Sequence, residues 1–193
     1  MRLQELFNIN LTEQTGSFIA YHGSGANFDN FLRTKAHSGE GGAAFGSGIY
    51  ISKNPEVGKF YQKLSNSDTA TLYKIKVNID TNKILRWDRP FSQQPEFVQD
   101  VLNTIDYDGS KGTEARYYYH YLRASYGSGG ISGPMESEQA TKYLEDQGIQ
   151  AIYFVGDRKY KGPGRDQSQN FVVFDPSLIT ILNKYDTNGN EIK

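Results

Sequence analysis

The chain has 193 residues, and its 21 Lys and Arg against 22 Asp and Glu give a formal net charge of −1. A protein this close to neutral has no overall field that attracts nucleic acid or a membrane surface, so a local patch must bind any such partner. The absence of cysteine excludes disulfides, zinc–thiolate sites and cysteine nucleophiles.

The amino-terminal half reads as short strands around one helix. Strands are predicted at 17–22, at 48–52 and, from its strict alternation, at 69–79. Asn54 and Pro55 resemble the N-cap and first residue of a helix that follows the second strand. A short strand at 83–88 is predicted to pair with 69–79 across the sequence DTNK.

The second half gives a group of helices and then a group of strands. Helices are predicted at 94–105, 113–127 and 136–148, and strands at 149–155, 170–175 and 178–185. Without regular alternation of strand and helix, this order indicates an α+β fold with an antiparallel or mixed sheet. We therefore expect one domain over 1–193.

The stretch AYHGSGANF places a histidine at the end of an apolar strand. His22 is followed directly by Gly23, where the backbone can come close to a ligand because no side chain intervenes. The glycines lack the third glycine and the acidic partner of a dinucleotide-binding fingerprint. By itself, His22 is equally consistent with an ordinary turn histidine.

A second glycine-rich stretch, GEGGAAFGSGIY, has five glycines between residues 39 and 50. Such a segment is either an exposed flexible loop or a loop that closes around a ligand. Because it leads directly into the apolar strand IYIS with Tyr50 near its start, we favour the ligand-binding interpretation.

The helix 113–127 contains a run of tyrosines that could form a stacking platform for bases. Tyr118, Tyr121 and Leu122, however, follow the spacing of a buried helical stripe, and we therefore predict that they belong to the core. Three acidic residues are possible catalytic carboxylates, although their spacing selects none of them: Glu114, Glu136 and Glu138.

Three motifs in this order resemble the ADP-ribosyltransferase superfamily. They are YHGS, then GSGIYIS with Tyr61 eleven residues after Tyr50, then NFVVFD. The pattern is similar to the His-Tyr branch that includes diphtheria-type toxins and poly-ADP-ribose polymerases, and most similar to domains of phage and mobile-element proteins. The resemblance covers about residues 17–182. It implies a split antiparallel sheet with flanking helices and NAD as co-substrate, without a metal.

Each matching residue takes its expected role from the resemblance. His22 would bind the adenosine ribose of NAD, the Gly23 backbone would hold the nicotinamide carboxamide, and Ser24 would assist on the ribose side. Tyr50 and Tyr61 would enclose the cationic nicotinamide ring, where aromatic faces supply burial and cation–π attraction.

The third motif departs from the family pattern. Where the family usually has a glutamate at the start of the late strand, this chain has Asn170, with Gln169 beside it. An amide binds a ribose hydroxyl but does not accept a proton at neutral pH. Strand alternation puts Asn170, Val172 and Phe174 on one face, so Asn170 is able to point at the site. It is also consistent with an ordinary polar residue at a strand end.

The loop before the third motif is the most basic in the chain. In the resembled family this segment helps to recognise the acceptor, and four cations here would suit an acidic or phosphate-bearing macromolecule: Arg158, Lys159, Lys161 and Arg165. A merely solvated charged loop is the other interpretation.

These observations predict an enzyme that transfers single ADP-ribose units from NAD to a protein or nucleic acid. One alternative is a non-catalytic module of a phage or mobile element that binds NAD or a partner. Another is a glycohydrolase that passes ADP-ribose to water. The amino terminus lacks a signal peptide's apolar core and no segment could span a bilayer. We therefore expect no membrane partner and a cytoplasmic location, in the host if phage-encoded.

Overall fold

The computed structural model describes residues 16–32, 44–127, 134–156 and 160–193. These residues form eight strands and four α-helices. The strands are β1 (Gly16–Ser24), β2 (Ile49–Ser52), β3 (Thr71–Ile79), β4 (Ile84–Arg86), β5 (Ala151–Val155), β6 (Gln169–Val173), β7 (Ile179–Tyr185) and β8 (Glu191–Ile192). The helices are α1 (Pro55–Leu64), α2 (Glu96–Asn103), α3 (Ala115–Tyr126) and α4 (Pro134–Asp146). The predicted α+β class is confirmed, and β8 is an element that the sequence did not suggest.

All eight strands belong to one sheet in the order β4-β5-β6-β2-β1-β3-β7-β8. Every neighbouring pair is antiparallel except β4 and β5, which are parallel. The predicted pairing of 83–88 with β3 is therefore wrong. Asp80 caps a short 3₁₀ helix at Thr81–Lys83, where its side chain accepts a 2.9 Å hydrogen bond from the Asn82 amide, and this turn directs the chain away from β3.

The sheet divides between β1 and β2. These two strands share a single registered pair, Tyr21 with Ser52, whereas β1 and β3 pair along nine residues. The late strand β6 pairs with β2 on the other side, with Asn170 opposite Ser52. The end of β1 and the start of β2 are therefore free to separate, and the sequence motifs lie around this opening.

Two apolar clusters support the two sides of the sheet. One cluster packs the helices α2, α3 and α4 against Ile152, Phe154, Val172 and Phe174 of β5, β6 and the residue after β6. The other joins Tyr73, Ile75 and Val77 of β3 to Ile49, Ile51, Phe171 and Val173 of β2 and β6. This alternation confirms that Val172 and Phe174 lie on one face and Phe171 and Val173 on the other.

Helix α1 starts where the sequence predicted. The Asn54 side chain accepts a 3.0 Å hydrogen bond from the Glu56 amide, and Pro55 occupies the first turn, where its missing N–H costs nothing. The helix buries Gly58 and Gln62. Its contacts with β1 make it the wall of the opening between β1 and β2.

The tyrosine-rich helix α3 is mainly a core element. Its buried residues are Ala115, Tyr118, Tyr119 and Leu122, so Tyr118 and Leu122 are where the spacing predicted. The prediction for Tyr121 is wrong, because it lies at the edge of this stripe, is 40% exposed, and packs with a 5.1 Å centroid distance against Tyr107. None of the described helices has the length and apolarity needed to cross a bilayer.

Candidate active site

His22 bridges the point at which β1 and β2 separate. Its Nδ1 lies 2.8 Å from the backbone carbonyl oxygen of Tyr50. A carbonyl oxygen only accepts hydrogen bonds, so Nδ1 must carry the hydrogen and donate it. The imidazole therefore bonds to a backbone carbonyl of β2 where the two strands no longer pair with each other. In the neutral ring, Nε2 carries a lone pair and can accept a hydrogen bond.

The surroundings of His22 keep the ring neutral. Its ring meets Phe31 edge-on at 5.1 Å and Tyr73 at 6.0 Å, and burial lowers its pKa below the ordinary value of 6.5, against the smaller opposing effect of the Tyr50 carbonyl. At neutral pH, Nε2 therefore accepts a hydrogen bond, and its natural partner is a hydroxyl donor such as one on a ribose.

The lowered pKa of His22 predicts a pH-dependent stability. Below about pH 6.5 the unfolded chain binds a proton that the folded chain resists, so the free energy of unfolding is expected to fall as the pH drops from 7 towards 5. Replacing His22 with Asn, which keeps a donor but does not titrate, should flatten this decline in urea unfolding curves. His120→Asn is the comparison variant: the pKa of His120 is also lowered by burial, but its side chain is exposed, so we expect a smaller flattening. An equal or larger flattening by His120→Asn would contradict the assignment to His22.

Gly23 is where β1 touches the backbone of α1. A Cβ atom at this position would clash with the Gly58 carbonyl oxygen and the Gln62 amide nitrogen, and would lie 3.0 Å from the carbonyl carbon of Tyr61. Only glycine allows this approach. Gly58 is likewise close to β1, because a Cβ atom at Gly58 would lie 3.0 Å from the Cβ of Tyr21. The close packing places the backbone of Tyr61 beside Gly23, while the Tyr61 ring packs edge-on against Phe60 at 5.2 Å.

Tyr50 connects the opening to the glycine-rich loop. Its hydroxyl donates to the Gly46 carbonyl at 2.8 Å and accepts from the Phe45 amide at 3.1 Å. Its ring packs edge-on against Phe154 at 6.5 Å, and burial raises its pKa above the usual range. The Tyr50 ring thus lies on the helical side of the sheet, and the His22 ring lies on the other side with Tyr73. The two residues meet through the Tyr50 backbone.

Asn170 is held in one orientation by three oxygen atoms. Its Nδ2 donates to the Gly156 carbonyl at 2.8 Å, and to the carbonyl and Oγ of Ser168, both at 3.1 Å. The Ser168 hydroxyl itself donates to the Arg165 carbonyl at 2.9 Å, so it presents a lone pair to Asn170. Flipping the amide would put its oxygen against three acceptors, which fixes the orientation.

The other half of the Asn170 amide has no partner. Asn170 is 3% exposed, and its Oδ1 is a buried acceptor that makes no hydrogen bond within the described part of the chain. An unsatisfied buried acceptor costs about 1–3 kcal/mol, and natural proteins rarely keep one without a function. A donor from outside the described residues, such as a ligand hydroxyl, would satisfy this oxygen, and the role of Asn170 stays a prediction.

The remaining predicted site residues have local roles in the structure. Ser24 Oγ accepts from the Ala26 amide at 3.1 Å and stabilises the turn after β1. In the basic loop, Lys161 is exposed and Arg165 lies 3.7 Å from Asp166, while Arg158 and Lys159 are outside the described residues, as are residues 39–43 of the glycine-rich stretch. Glu114 pairs with Arg116 at 2.6 Å. Within the described ranges, no three His, Asp or Glu side chains come together as metal ligands.

Sequence reasoning missed the residues that surround the predicted ones. Gly156 and Ser168 orient Asn170, Gly58 admits Gly23, and Phe31 covers the His22 ring. The one available signal was Ser168, which lies two residues before Asn170 and hence on the same side of the chain. The others are distant in sequence and come together only through the fold.

The comparisons with known proteins give one family. The model of the ADP-ribosyltransferase domain found in polyvalent proteins matches residues 14–185, which include β1 through β7 and all four helices. No curated protein and no solved structure matches the chain. Domains of this superfamily use NAD as co-substrate, in agreement with the resemblance of the three motifs. The chain therefore belongs to the family of ADP-ribosyltransferase domains in polyvalent proteins.

Proposed function

We propose that this domain transfers single ADP-ribose units from NAD to a macromolecular acceptor and releases nicotinamide. The observation that supports this most directly is the buried, unpartnered Oδ1 of Asn170, two residues along the β2–β6 register from Tyr50. A ribose hydroxyl is a donor that would complete it. Neutral His22 adds a second acceptor at the other side of the opening.

The chain's own residues would bind and orient NAD. His22 Nε2 accepts from the adenosine ribose, the Gly23 backbone holds the nicotinamide carboxamide, and Ser24 lies beside the ribose. The Tyr61 ring stacks on the nicotinamide. For Tyr50 to cover its other side, the Tyr50 hydroxyl would have to leave the Phe45 amide and the Gly46 carbonyl, which hold its ring on the helical side of the sheet. Asn170 Oδ1 accepts from a hydroxyl of the nicotinamide ribose. His22 and Asn170 lie on opposite sides of the sheet, so the dinucleotide would have to pass between the separated ends of β1 and β2 to reach both.

The transfer would proceed through an oxocarbenium-like state. The bond between C1″ and the nicotinamide nitrogen breaks, and nicotinamide leaves with the electron pair. The nucleophilic atom of the acceptor forms the new bond to C1″, and its proton passes to water. Asn170 supplies orientation and a partial negative charge rather than a base, because an amide does not accept a proton at neutral pH. Without a carboxylate to prepare a ribose hydroxyl for attack, products should carry one ADP-ribose each.

The acceptor is proposed to approach through the loop before β6. Arg165 and Arg116 line a cavity of about 220 Å³, and the lining also includes Gly156, whose carbonyl orients Asn170. Asp166 and Asp88 line the same cavity at 3.7 and 3.6 Å from the two arginines, so an anionic group on the acceptor would have to displace them. Lys161, exposed in the same loop, adds positive charge, as Arg158 and Lys159 would. The excess positive charge of this loop, rather than the cavity itself, is what would suit an acidic or phosphate-bearing group on the acceptor.

The direct test is incubation of the purified domain with NAD labelled in the adenine portion and a whole-cell lysate. Protein and nucleic-acid fractions are then separated, and nicotinamide release is measured in parallel. Label in one fraction, with one ADP-ribose per site by mass spectrometry, is the expected result.

Nicotinamide release without labelled macromolecules would support the glycohydrolase. NAD binding without release would support the non-catalytic module, which the missing carboxylate at position 170 favours. Chains of ADP-ribose would contradict the role given to Asn170.

Replacing Tyr61 with alanine is expected to weaken NAD binding about tenfold, measured by calorimetry. Loss of the stacked ring removes burial and a cation–π contribution of about 0.5–2 kcal/mol. Tyr50→Ala should also weaken binding by about 1–3 kcal/mol, but it additionally releases the Phe45–Gly46 segment. Tyr117→Ala is the control, because this tyrosine is 46% exposed on α3. Unchanged affinity in folded Tyr61→Ala protein would show that the nicotinamide ring binds elsewhere.

A further inference from the structure

A second concave surface lies beside α1, and its lining includes none of the residues proposed to bind NAD. It is a groove of about 450 Å³ between α1 and the turn that follows β7. Its floor is formed by side chains of three neighbouring strands, Tyr21, Leu72, Lys74 and Tyr185, and its walls by Lys59, Gln62 and Lys63 of α1 and by residues 186–189. Tyr61 is not part of its lining.

The groove is held open by hydrogen bonds of a single buried side chain. Gln62 Nε2 donates to the carbonyl of Ala70 and to the carbonyl of Tyr185, both at 3.1 Å. These bonds fix the distance between α1 and the end of β7. The cavity is therefore formed before any ligand binds, which reduces the entropy that a ligand must lose with it.

Three lysines give the groove a positive charge. Lys59 and Lys63 are one helical turn apart on α1, and Lys74 lies beside Tyr21 across the β1–β3 register. Lys59 makes a 2.7 Å ion pair with Glu56, which is outside the groove lining. Lys63 and Lys74 have no hydrogen-bond or ion-pair partner in the described part of the chain. Two ammonium groups are thus available to an anion.

The one acidic residue of the groove lining is already used by the fold. Asp186 Oδ1 accepts from the amides of Asn188 and Asn190 at 2.9 and 2.8 Å, and its Oδ2 accepts from Asn190 Nδ2 at 3.0 Å. These donors belong to the turn between β7 and β8, and they lower the pKa of Asp186 by stabilising its ionised form. The groove lining therefore has three lysines against one carboxylate that is already bonded within the turn.

Two tyrosines stand among these cations. Tyr21 is opposite Lys74, and Tyr185 is opposite Leu72, so the rings lie on adjacent rows of the same sheet face. Cations that follow a backbone, together with aromatic rings that accept bases, are the combination by which proteins hold single-stranded nucleic acid. A volume of about 450 Å³ is of the size that takes a small ligand, here one or two nucleotides, and is too small for a duplex.

We propose that the groove between α1 and the β7–β8 turn binds single-stranded nucleic acid, with Lys63 and Lys74 on phosphates and Tyr21 and Tyr185 against bases. The proposal does not depend on NAD binding or transfer, because none of His22, Tyr50, Tyr61 and Asn170 lines the groove. A docked acidic peptide would use the lysines but would leave the two rings without stacking partners.

The test is fluorescence anisotropy with a labelled oligothymidylate of twelve nucleotides and the unmodified chain, without NAD. Binding is expected in the micromolar range at low salt. The logarithm of the affinity should fall with the logarithm of salt concentration with a slope of about −1.4, since two phosphates are neutralised at about 0.7 each. Lys63→Gln with Lys74→Gln should weaken binding at least tenfold and bring the slope close to zero. Tyr185→Leu should weaken binding at least fivefold with the slope unchanged.

The matched control is Lys111→Gln with Lys193→Gln, which removes the same charge from exposed positions outside the groove. Circular dichroism verifies that every variant is folded. An equal loss in the control pair would overturn the proposal, because attraction would then come from overall charge. It would also be overturned by absence of binding at millimolar oligonucleotide, by equal affinity for a duplex, or by equal competition from polyglutamate.

Discussion

Replacing Asn170 with aspartate is expected to lower the free energy of unfolding by about 2–4 kcal/mol and to abolish ADP-ribosyl transfer. The new carboxylate would face the Gly156 carbonyl, the Ser168 carbonyl and the Ser168 hydroxyl oxygen, which all accept from the Asn170 amide. The bonds from the amide nitrogen would be lost, and among these three groups only the Ser168 hydroxyl could donate to the buried charge, by giving up its bond to the Arg165 carbonyl. Urea unfolding at neutral pH measures the stability, and nicotinamide release measures the activity.

Asn78→Asp is the control for this prediction. Asn78 is an exposed asparagine in the interior of β3, so the same chemical change there should alter stability by less than about 0.5 kcal/mol. If Asn170→Asp were as stable as the control, the orientation assigned to the Asn170 amide would be wrong.

The acceptors around the Asn170 amide also predict the effect of a glutamate at position 170. Because the surroundings of residue 170 are built to receive a donor, Asn170→Glu should not produce a more active enzyme, although the family usually has glutamate there. Asn170→Ala removes the amide without adding a charge. It should reduce turnover more than NAD affinity, because the hydrogen bond that it removes would be stronger in the transition state than in the complex with NAD. A gain of activity in Asn170→Glu would instead support the non-catalytic interpretation of the natural chain.

Gly23→Ala is expected to destabilise the protein by about 3 kcal/mol. The added methyl group would run into the α1 backbone at Gly58 and Gln62, and a helix backbone has no side-chain torsion by which to move aside. Relief requires a shift of α1 away from β1, and Tyr61 would move with it. NAD affinity, measured by calorimetry on the folded fraction, should therefore fall together with the unfolding midpoint.

Gly16→Ala tests the same substitution at the other end of the same strand. A Cβ there would lie 3.7 Å from the Thr81 side chain, an ordinary contact, so stability and NAD affinity should stay close to those of the parent protein. Equal loss in both variants would attribute the effect to strand propensity rather than to the contact with α1.

The sequence by itself determined the elements and the family. Alternation in TLYKIKVNI, the Asn54–Pro55 start of α1 and the apolar spacing of α3 are local signals, and the structure has a strand or helix at each. The three ordered motifs were sufficient for the superfamily, which the family match confirms. The roles of individual site residues remain predictions, since motif order shows which residues correspond and not what they contact.

The tertiary structure decided the features that depend on residues far apart in the chain. β4 pairs with β5, more than sixty residues later, because a capped turn at 80–83 directs it away from its sequence neighbour. Asn170 looks from the sequence like a lost glutamate, yet Gly156 and Ser168 make its amide the better fit, and the sequence shows no pattern for this because the contacts involve backbone carbonyls. His22 likewise acquires its tautomer from the carbonyl of Tyr50, a group that every residue has and that only the fold brings to it.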